Sequence, residues 1–428
     1  MARASRVVLG LGGCVDYELK LNAAVLEQLI IEYGIVAAEL TSPATVAGER
    51  DLVVSILGYV ARGGGGEHFV ASAPALSEFA NRFPHRLTLG GTSVRAGILM
   101  SRLGVPSTLH LVSVNDTFRR LLPDDTEYIN SGTADTFYPH LIVQYDQGLL
   151  IRANDIDISA PFPNRLIYVN DPANSDMLLT ADLGARLGSA EVFLISGFNA
   201  MRDVGELDER LASLRAHMRR LPSTAVTYFE DAAYHEPTFS RRTREALLDR
   251  IDVYGLNEDE LQSYVKRTVR LLDPEDVASA LAEVHELIPV PTLVLHTKYW
   301  ALAAGAGDYA NALDTGTVMA ATRYCYGDDF TDQDVERLRR QPRRPESVAF
   351  AAALPEHTVA PGFALDVEHP TTVGLGDTFV GGFLADLALN GHRQRSSPHP
   401  TQPESGAAVS QSRADGPQTA GESKEQAT

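Results

Sequence analysis

Gly374-Leu375-Gly376-Asp377-Thr378 runs directly into Phe379-Val380-Gly381-Gly382-Phe383-Leu384-Ala385-Asp386-Leu387. A glycine-rich turn feeds an apolar helix, and a carboxylate stands at the junction. Free backbone N–H groups and the positive end of the helix dipole make such a turn an anion cradle. If the cradle only had to hold a phosphate, a carboxylate there would repel it. The carboxylate has a use if it takes a proton from a hydroxyl while the cradle holds a transferring phosphoryl group. An ordinary turn with Asp377 as helix cap fits the same residues, so the rest of the chain has to decide.

Working outward, short β-rich runs recur: Val7 to Leu11, Arg165 to Val169, Glu191 to Ser196, Thr224 to Phe229, Ile251 to Tyr254 and Pro291 to His296. From the third onward they alternate with helical patterns. In Glu206 to Arg220, residues Leu207, Leu211, Leu214 and Met218 line one face, and Glu275 to Leu287 is a second such helix. Strands alternating with helices predict an α/β fold, a mainly parallel sheet flanked by helices. In such sheets a ligand sits beyond the C-terminal strand ends.

Residues 106–170 read differently. Thr108 to Ser113, Leu141 to Tyr145 and Leu149 to Arg152 look like strands joined by short turns, with Asp146-Gln147-Gly148 as a hairpin loop. The expected organisation is a core of residues 1–14, 71–105 and 171–390, and a small β-sheet lid built from 15–70 and 106–170. Lids in kinases exclude water and suppress hydrolysis. Gly63 to Gly66 reads as a flexible joint. Residues 391–428, rich in Ser, Pro, Gln and Gly, read as a disordered tail.

The 428 residues are 44% hydrophobic, enough for two or three domains, and the net charge is −19. That balance, without a Lys/Arg cluster, argues against nucleic acid or an anionic membrane as partner. No run approaches the roughly 20 apolar residues that span a bilayer. Leu11-Gly12-Gly13-Cys14 superficially resembles a lipoprotein cleavage site, but the preceding apolar stretch is short. Cys14 and Cys325 fit no metal spacing and read as buried, reduced thiols, so the expected location is the cytoplasm.

Several motifs sit at expected strand ends. Asn257 and Glu260 lie three apart at a helix start, as either a capping pair or a carboxylate site for hydrated Mg²⁺. Glu230 ends the strand Tyr228-Phe229-Glu230, as a ligand-facing acid or a solvated loop acid. Gly90-Gly91-Thr92-Ser93 opens a helix, as a sugar or phosphate contact or a plain entry turn with a hydroxyl cap. Asp16 follows the first strand, and His296-Thr297 ends a late one.

Taken in order, Asp16, Gly-Gly-Thr-Ser, Ile195-Ser196-Gly197-Phe198, Tyr-Phe-Glu, Asn-Glu-Asp-Glu, Val294-Leu295-His296-Thr297 and Gly-Leu-Gly-Asp resemble the ADP-dependent sugar kinases. This is the glucokinase and phosphofructokinase group of the ribokinase-like superfamily, and the resemblance spans about residues 7–390. It implies Asp377 as catalytic base and the backbone of Gly374, Leu375 and Gly376 as anion hole. It implies Glu230 and Glu260 at the Mg²⁺ site, with Asn257 beside them. Asp16, Gly91 and Thr92 match the sugar-contacting segment. Glu67 matches a glutamate that glucose-using members hold near the acceptor. His296 and Val373, with Asn257, fall near the nucleotide.

Two positions depart from the family pattern: Tyr228 stands for the His of His-x-Glu, and Thr92 for the Asn of Gly-Gly-Asn. These changes put the sugar specificity in question. Arg95 and Arg202 are alternative clamps for a substrate phosphate. The expected activity is transfer of the ADP β-phosphoryl to glucose or fructose 6-phosphate, by a monomer or small homo-oligomer. An ATP-using ribokinase-like kinase for a sugar or nucleoside, and a catalytically silent sugar or nucleotide sensor, are the rival readings.

Overall fold

A computed structural model describes residues 6–40, 46–368 and 370–390. The tail expectation therefore lies outside the described residues.

The larger of two main sheets has nine strands. From one edge they are Thr358–Pro361, Trp300–Gly305, Thr292–His296, Val253–Asn257, Val226–Glu230, Val192–Ile195, Val7–Leu9, Ser107–Leu111 and Glu127–Asn130. The seven from Thr292–His296 onward are parallel, and Trp300–Gly305 pairs antiparallel with both Thr292–His296 and Thr358–Pro361. Alternate residues of each central strand enter different cores. Val8, Phe193, Ile195, Leu293 and Leu295 belong to one apolar cluster, and Val7, Leu9, Val192, Leu194 and Val294 to another. Both faces are therefore covered by helices, as a parallel sheet requires. The predicted stripe of Leu207, Leu211, Leu214 and Met218 is buried on the helix Val204–Met218.

The smaller sheet runs Gly66–Phe69, Asn164–Val169, His140–Tyr145, Cys14–Lys20, His85–Gly90. One face carries Leu19, Leu141, Val143, Tyr145, Leu166 and Tyr168, packed under helices Ala23–Tyr33, Glu49–Arg62 and Ala73–Ala80. The register sets a row of direct partners on the other face: Glu67, Ile167, Ile142, Glu18 and Arg86. The neighbouring row is His140, Asp16 and Thr88. One face is thus apolar core and the opposite face is charged.

Sheet membership corrects two expectations. Ser107–Leu111 is buried at all five positions and pairs parallel to Val7–Leu9 in the large sheet, so it is not part of the small one. A run buried on both faces belongs to a parallel layer. Conversely, His85–Gly90 and the helix Ala73–Ala80, assigned to the core range, join the small sheet and its cluster. The expected hairpin also differs. Asp146-Gln147-Gly148 does turn the chain, but Leu150–Ala153 pairs with Ile156–Ser159 as a separate ribbon whose Ile151, Ile156 and Ile158 cover the helical layer. Gly63 caps the helix Glu49–Arg62 and Gly66 opens the next strand, so the glycine run is a short helix-to-strand connection.

The helix Leu375–Asn390 packs between Ala310–Tyr326 and Thr92–Arg102. Its glycines permit this. A Cβ at Gly381 would lie 2.9 Å from Ala96 Cα, and one at Gly382 3.0 Å from Gly316 Cα. Among the described residues no helix is long and apolar enough to cross a membrane.

Candidate active site

Asp377 lies in the first turn of the helix Leu375–Asn390, two residues inside its start. A capping side chain accepts from its own helix's N–H groups. Asp377 instead accepts a 2.8 Å hydrogen bond at Oδ1 from Thr92 Oγ1, and Arg95 Nε lies 3.7 Å from its Oδ2. Its side chain is 24% exposed, so it faces a space that solvent reaches. This geometry favours the proton-accepting role over the cap. The Gly-Gly-Thr-Ser segment is likewise not capped by a hydroxyl. Gly91 is the N-cap of Thr92–Arg102, Thr92 reaches Asp377, and Ser93 Oγ donates to Gly12 O at 2.8 Å.

Arg95 joins this base to the charged face of the small sheet. Its Nη2 is 3.0 Å from both Asp16 Oδ2 and Glu18 Oε1. Glu18 also accepts from Arg86 Nη2 and Thr88 Oγ1, each at 2.8 Å. Burial pushes Glu18 upward, but Arg95 and Arg86 outweigh it and hold the carboxyl at about 2. For Asp16 burial wins over Arg95 and His140, and its affinity for a proton rises. Arg95 thus pairs with three carboxylates through Nη2 and Nε. Arg202 stacks its guanidinium 3.4 Å from the Phe69 ring centroid.

Residues that sequence reasoning passed over complete this junction. His140 Nδ1 is 3.9 Å from Asp16 Oδ1, and its Nε2 is 3.5 Å from Asp171 Oδ2. Burial opposes protonation of His140, yet Asp171, Asp16 and Glu67 raise it above the usual range. Asn174 clamps the strand crossover. It accepts from Gly13 N at 3.1 Å and donates to Gly13 O at 3.0 Å and to Asp171 Oδ2 at 2.7 Å. Glu67 stands 3.4 Å from His235 Nε2; burial would raise it, but His235 and His140 keep it low. Asn170-Asp171-Pro172 was the readable signal here, a capping Asp before a helix-opening Pro.

Cys14, which fits no metal spacing in the sequence, lies at this junction. Ligand atoms of Cys14, Asp16 and His140 fall within 4.8 Å of one another. They do not suit a cation. Burial and Asp16 push the Cys14 thiol well up, it donates to Asp16 Oδ1 at 3.2 Å, and Arg95 occupies the other Asp16 oxygen. Cys325 is half-buried, not buried as expected, and both thiols are free.

A second cluster forms at the ends of three adjacent strands. Asn257 and Glu260 make the capping box: Asn257 Oδ1 accepts from Asp259 and Glu260 N–H, and Glu260 Oε2 accepts from Asn257 N–H at 2.7 Å. Glu230 is buried, not a solvated loop acid. Its Oε1 meets His296 Nε2 at 2.8 Å, while its Oε2 is buried beside the Tyr228 hydroxyl. Burial, with Asp231 and Glu230 nearby, pushes Glu260 up to about 8. Buried carboxylates gathered this closely, with Asp231 beside them, fit a divalent cation. His296 also packs on Phe379, ring centroids 4.8 Å apart, so it links this cluster to the Gly374–Thr378 turn. Glu230 thus takes an imidazole partner from a different strand. Val373 is buried, and its carbonyl accepts from Arg323 Nε at 2.7 Å.

The doubly covered parallel sheet carries this glycine turn at its strand ends, and the sequence match over it makes the protein a sugar kinase, a phosphotransferase with an alcohol acceptor. Residues 5–385 match the conserved region of ADP-specific phosphofructokinase/glucokinase. The chain belongs to that family. Among solved structures, a hypothetical ADP-dependent phosphofructokinase from Pyrococcus horikoshii OT3 superposes with TM-score 0.70 at 18% identity, over 91% of this chain and 99% of that one. A phosphofructokinase from the same organism with AMP gives 0.70 at 17%, over 91% and 99%. An ADP-dependent kinase in complex with fructose-6-phosphate and ADPbetaS gives 0.66 at 12%, over 90% and 94%. No curated protein matches the sequence.

Proposed function

We propose that the protein transfers the β-phosphoryl group of ADP to a hydroxyl of a sugar or sugar phosphate, glucose or fructose 6-phosphate, with Asp377 as base. The observation that carries the reading is Asp377 itself, inside a helix N-terminus yet held by Thr92 and Arg95 instead of capping. The acceptor oxygen forms a bond to the β-phosphorus, the bond from that phosphorus to the bridging oxygen breaks, and the acceptor proton passes to Asp377. AMP and a phosphorylated sugar leave.

The N–H groups at Gly374, Leu375 and Gly376 receive the charge on the phosphoryl oxygens. Glu230 and Glu260, with Asn257 beside them, would hold Mg²⁺, which when bound screens the phosphate charge. Glu67, on the charged face of the small sheet, accepts hydrogen bonds from sugar hydroxyls; Gly91 and Thr92 border the same space, and Asp16, its oxygens held by Arg95 and Cys14, supports it from beneath. Val373 and His296 border the nucleotide side. The small sheet acts as a lid that excludes water from the transferring group.

Support for the donor comes from the family, which is ADP-specific. Two of the structures that share this fold carry AMP, or fructose-6-phosphate with an ADP analogue. The test is AMP formation by purified protein with Mg²⁺, crossing ADP and ATP against glucose and fructose 6-phosphate. AMP appearing with ADP and one of the sugars supports the reading. Turnover with ATP alone, or nucleotide binding without turnover in any combination, contradicts it.

A further inference from the structure

Two guanidinium groups converge on the first residue of the anion-holding turn. Gly374 has φ +68°, and a Cβ built there would lie 3.0 Å from Arg95 Nη1 and 3.2 Å from Arg323 Nη2. Arg323 comes from the last turn of the helix Ala310–Tyr326, and its side chain is only 8% exposed. Its Nε donates to Val373 O at 2.7 Å, and its Nη1 pairs with Asp328. Its Nη2 is buried and has no hydrogen-bond partner.

That arrangement is unfavourable as it stands. A buried donor left unsatisfied is unfavourable, and more so when it is charged. Burial and the neighbouring Arg95 both disfavour the charge on Arg323. Arg95 is offset by Asp16, Glu18 and Asp377, whereas Nη2 of Arg323 has nothing to meet. The free N–H groups that start the helix Leu375–Asn390 add positive potential at the same place. An anion bound at the turn would satisfy all of these donors together. The planar guanidinium, fixed at Nε and Nη1, holds Nη2 ready without reorganisation.

We propose that Arg323 is a further phosphoryl-contacting residue, its Nη2 donating to an oxygen of the group cradled at Gly374–Gly376. The inference rests on the kinase reading above. It adds a charged donor, from a helix that carries none of the family motifs, to a site otherwise made of backbone N–H groups. Because the contact is to the transferring phosphoryl, it acts on ADP and not on AMP.

The test is calorimetric binding of ADP and of AMP, with Mg²⁺, to the wild-type protein, Arg323→Met and Arg323→Lys. Loss of one charge-assisted hydrogen bond corresponds to a loss of about tenfold or more in affinity. Arg323→Met should weaken ADP by that factor and leave AMP within about twofold. Arg323→Lys, which keeps the charge but loses the fork, should fall between. Should Arg323→Met not fold, the ADP-to-AMP ratio of Arg323→Lys decides alone. An unchanged ratio in the folded variants, or equal weakening of both nucleotides, overturns the inference and leaves the kinase reading standing. A wild-type protein that does not distinguish ADP from AMP overturns the donor reading, and this inference with it.

Discussion

Thr92 Oγ1 donates a 2.8 Å hydrogen bond to Asp377 Oδ1, joining residues 285 positions apart in the chain. The bond fixes one carboxylate oxygen and leaves the other facing Arg95 at 3.7 Å. Removing the hydroxyl in Thr92→Val should lower kcat about tenfold, the value of one hydrogen bond to a charged group. Thr92→Ser should restore most of it. Steady-state kinetics on the two variants checks this; equal kcat in Thr92→Val and wild type would show that the bond does not position the base.

Helix approach sets where Asp377 and Thr92 meet. Gly381 lets the helix Leu375–Asn390 lie against Ala96 of Thr92–Arg102, where a Cβ would come within 2.9 Å of Cα and 3.1 Å of the carbonyl. Backbone cannot yield as a side-chain tip can. Gly381→Ala should cost about 1–3 kcal/mol, as overpacking of a core does, and should lower kcat more than it raises KM. Chemical denaturation and kinetics on the same preparation measure both effects.

Glu18 should give the protein a distinct acid sensitivity. Its folded carboxyl is held at about 2, below the 4.5 of the free group, by Arg95 and Arg86 against the opposing effect of burial. The stabilisation is therefore present above pH 4.5 and is lost as pH falls from there toward 2. Its full size is on the order of 3 kcal/mol. Unfolding of wild type and Glu18→Gln, measured from pH 7 to pH 3, should show their difference shrinking below about pH 4.5. A difference constant with pH would contradict the assignment.

Much of this architecture was legible because strand and helix patterns report burial directly. Alternating strands and helices after residue 191 gave the parallel sheet, and Leu207, Leu211, Leu214 and Met218 marked a buried stripe. Sheet membership was less legible, since Ser107–Leu111 and His140–Tyr145 are both short apolar runs. Only pairing partners, which are remote in sequence, separate them. The motif acids were readable as residues, but their partners were not. His296 reaches Glu230 across the strand between them, and Arg323 reaches Gly374 from a helix with no motif. His140 carries no local pattern that announces its place between Asp16 and Asp171.

In the proposed reaction Asp377 takes the acceptor proton while the turn before it holds the phosphoryl group. Asp377→Asn keeps the shape, and its amide can still accept from Thr92. The decisive measurement is turnover of this variant beside its affinity for ADP. The account predicts kcat lower by about 10²–10⁴-fold, the usual contribution of a general base, with ADP binding and folding unchanged. Turnover near that of the wild type would contradict it.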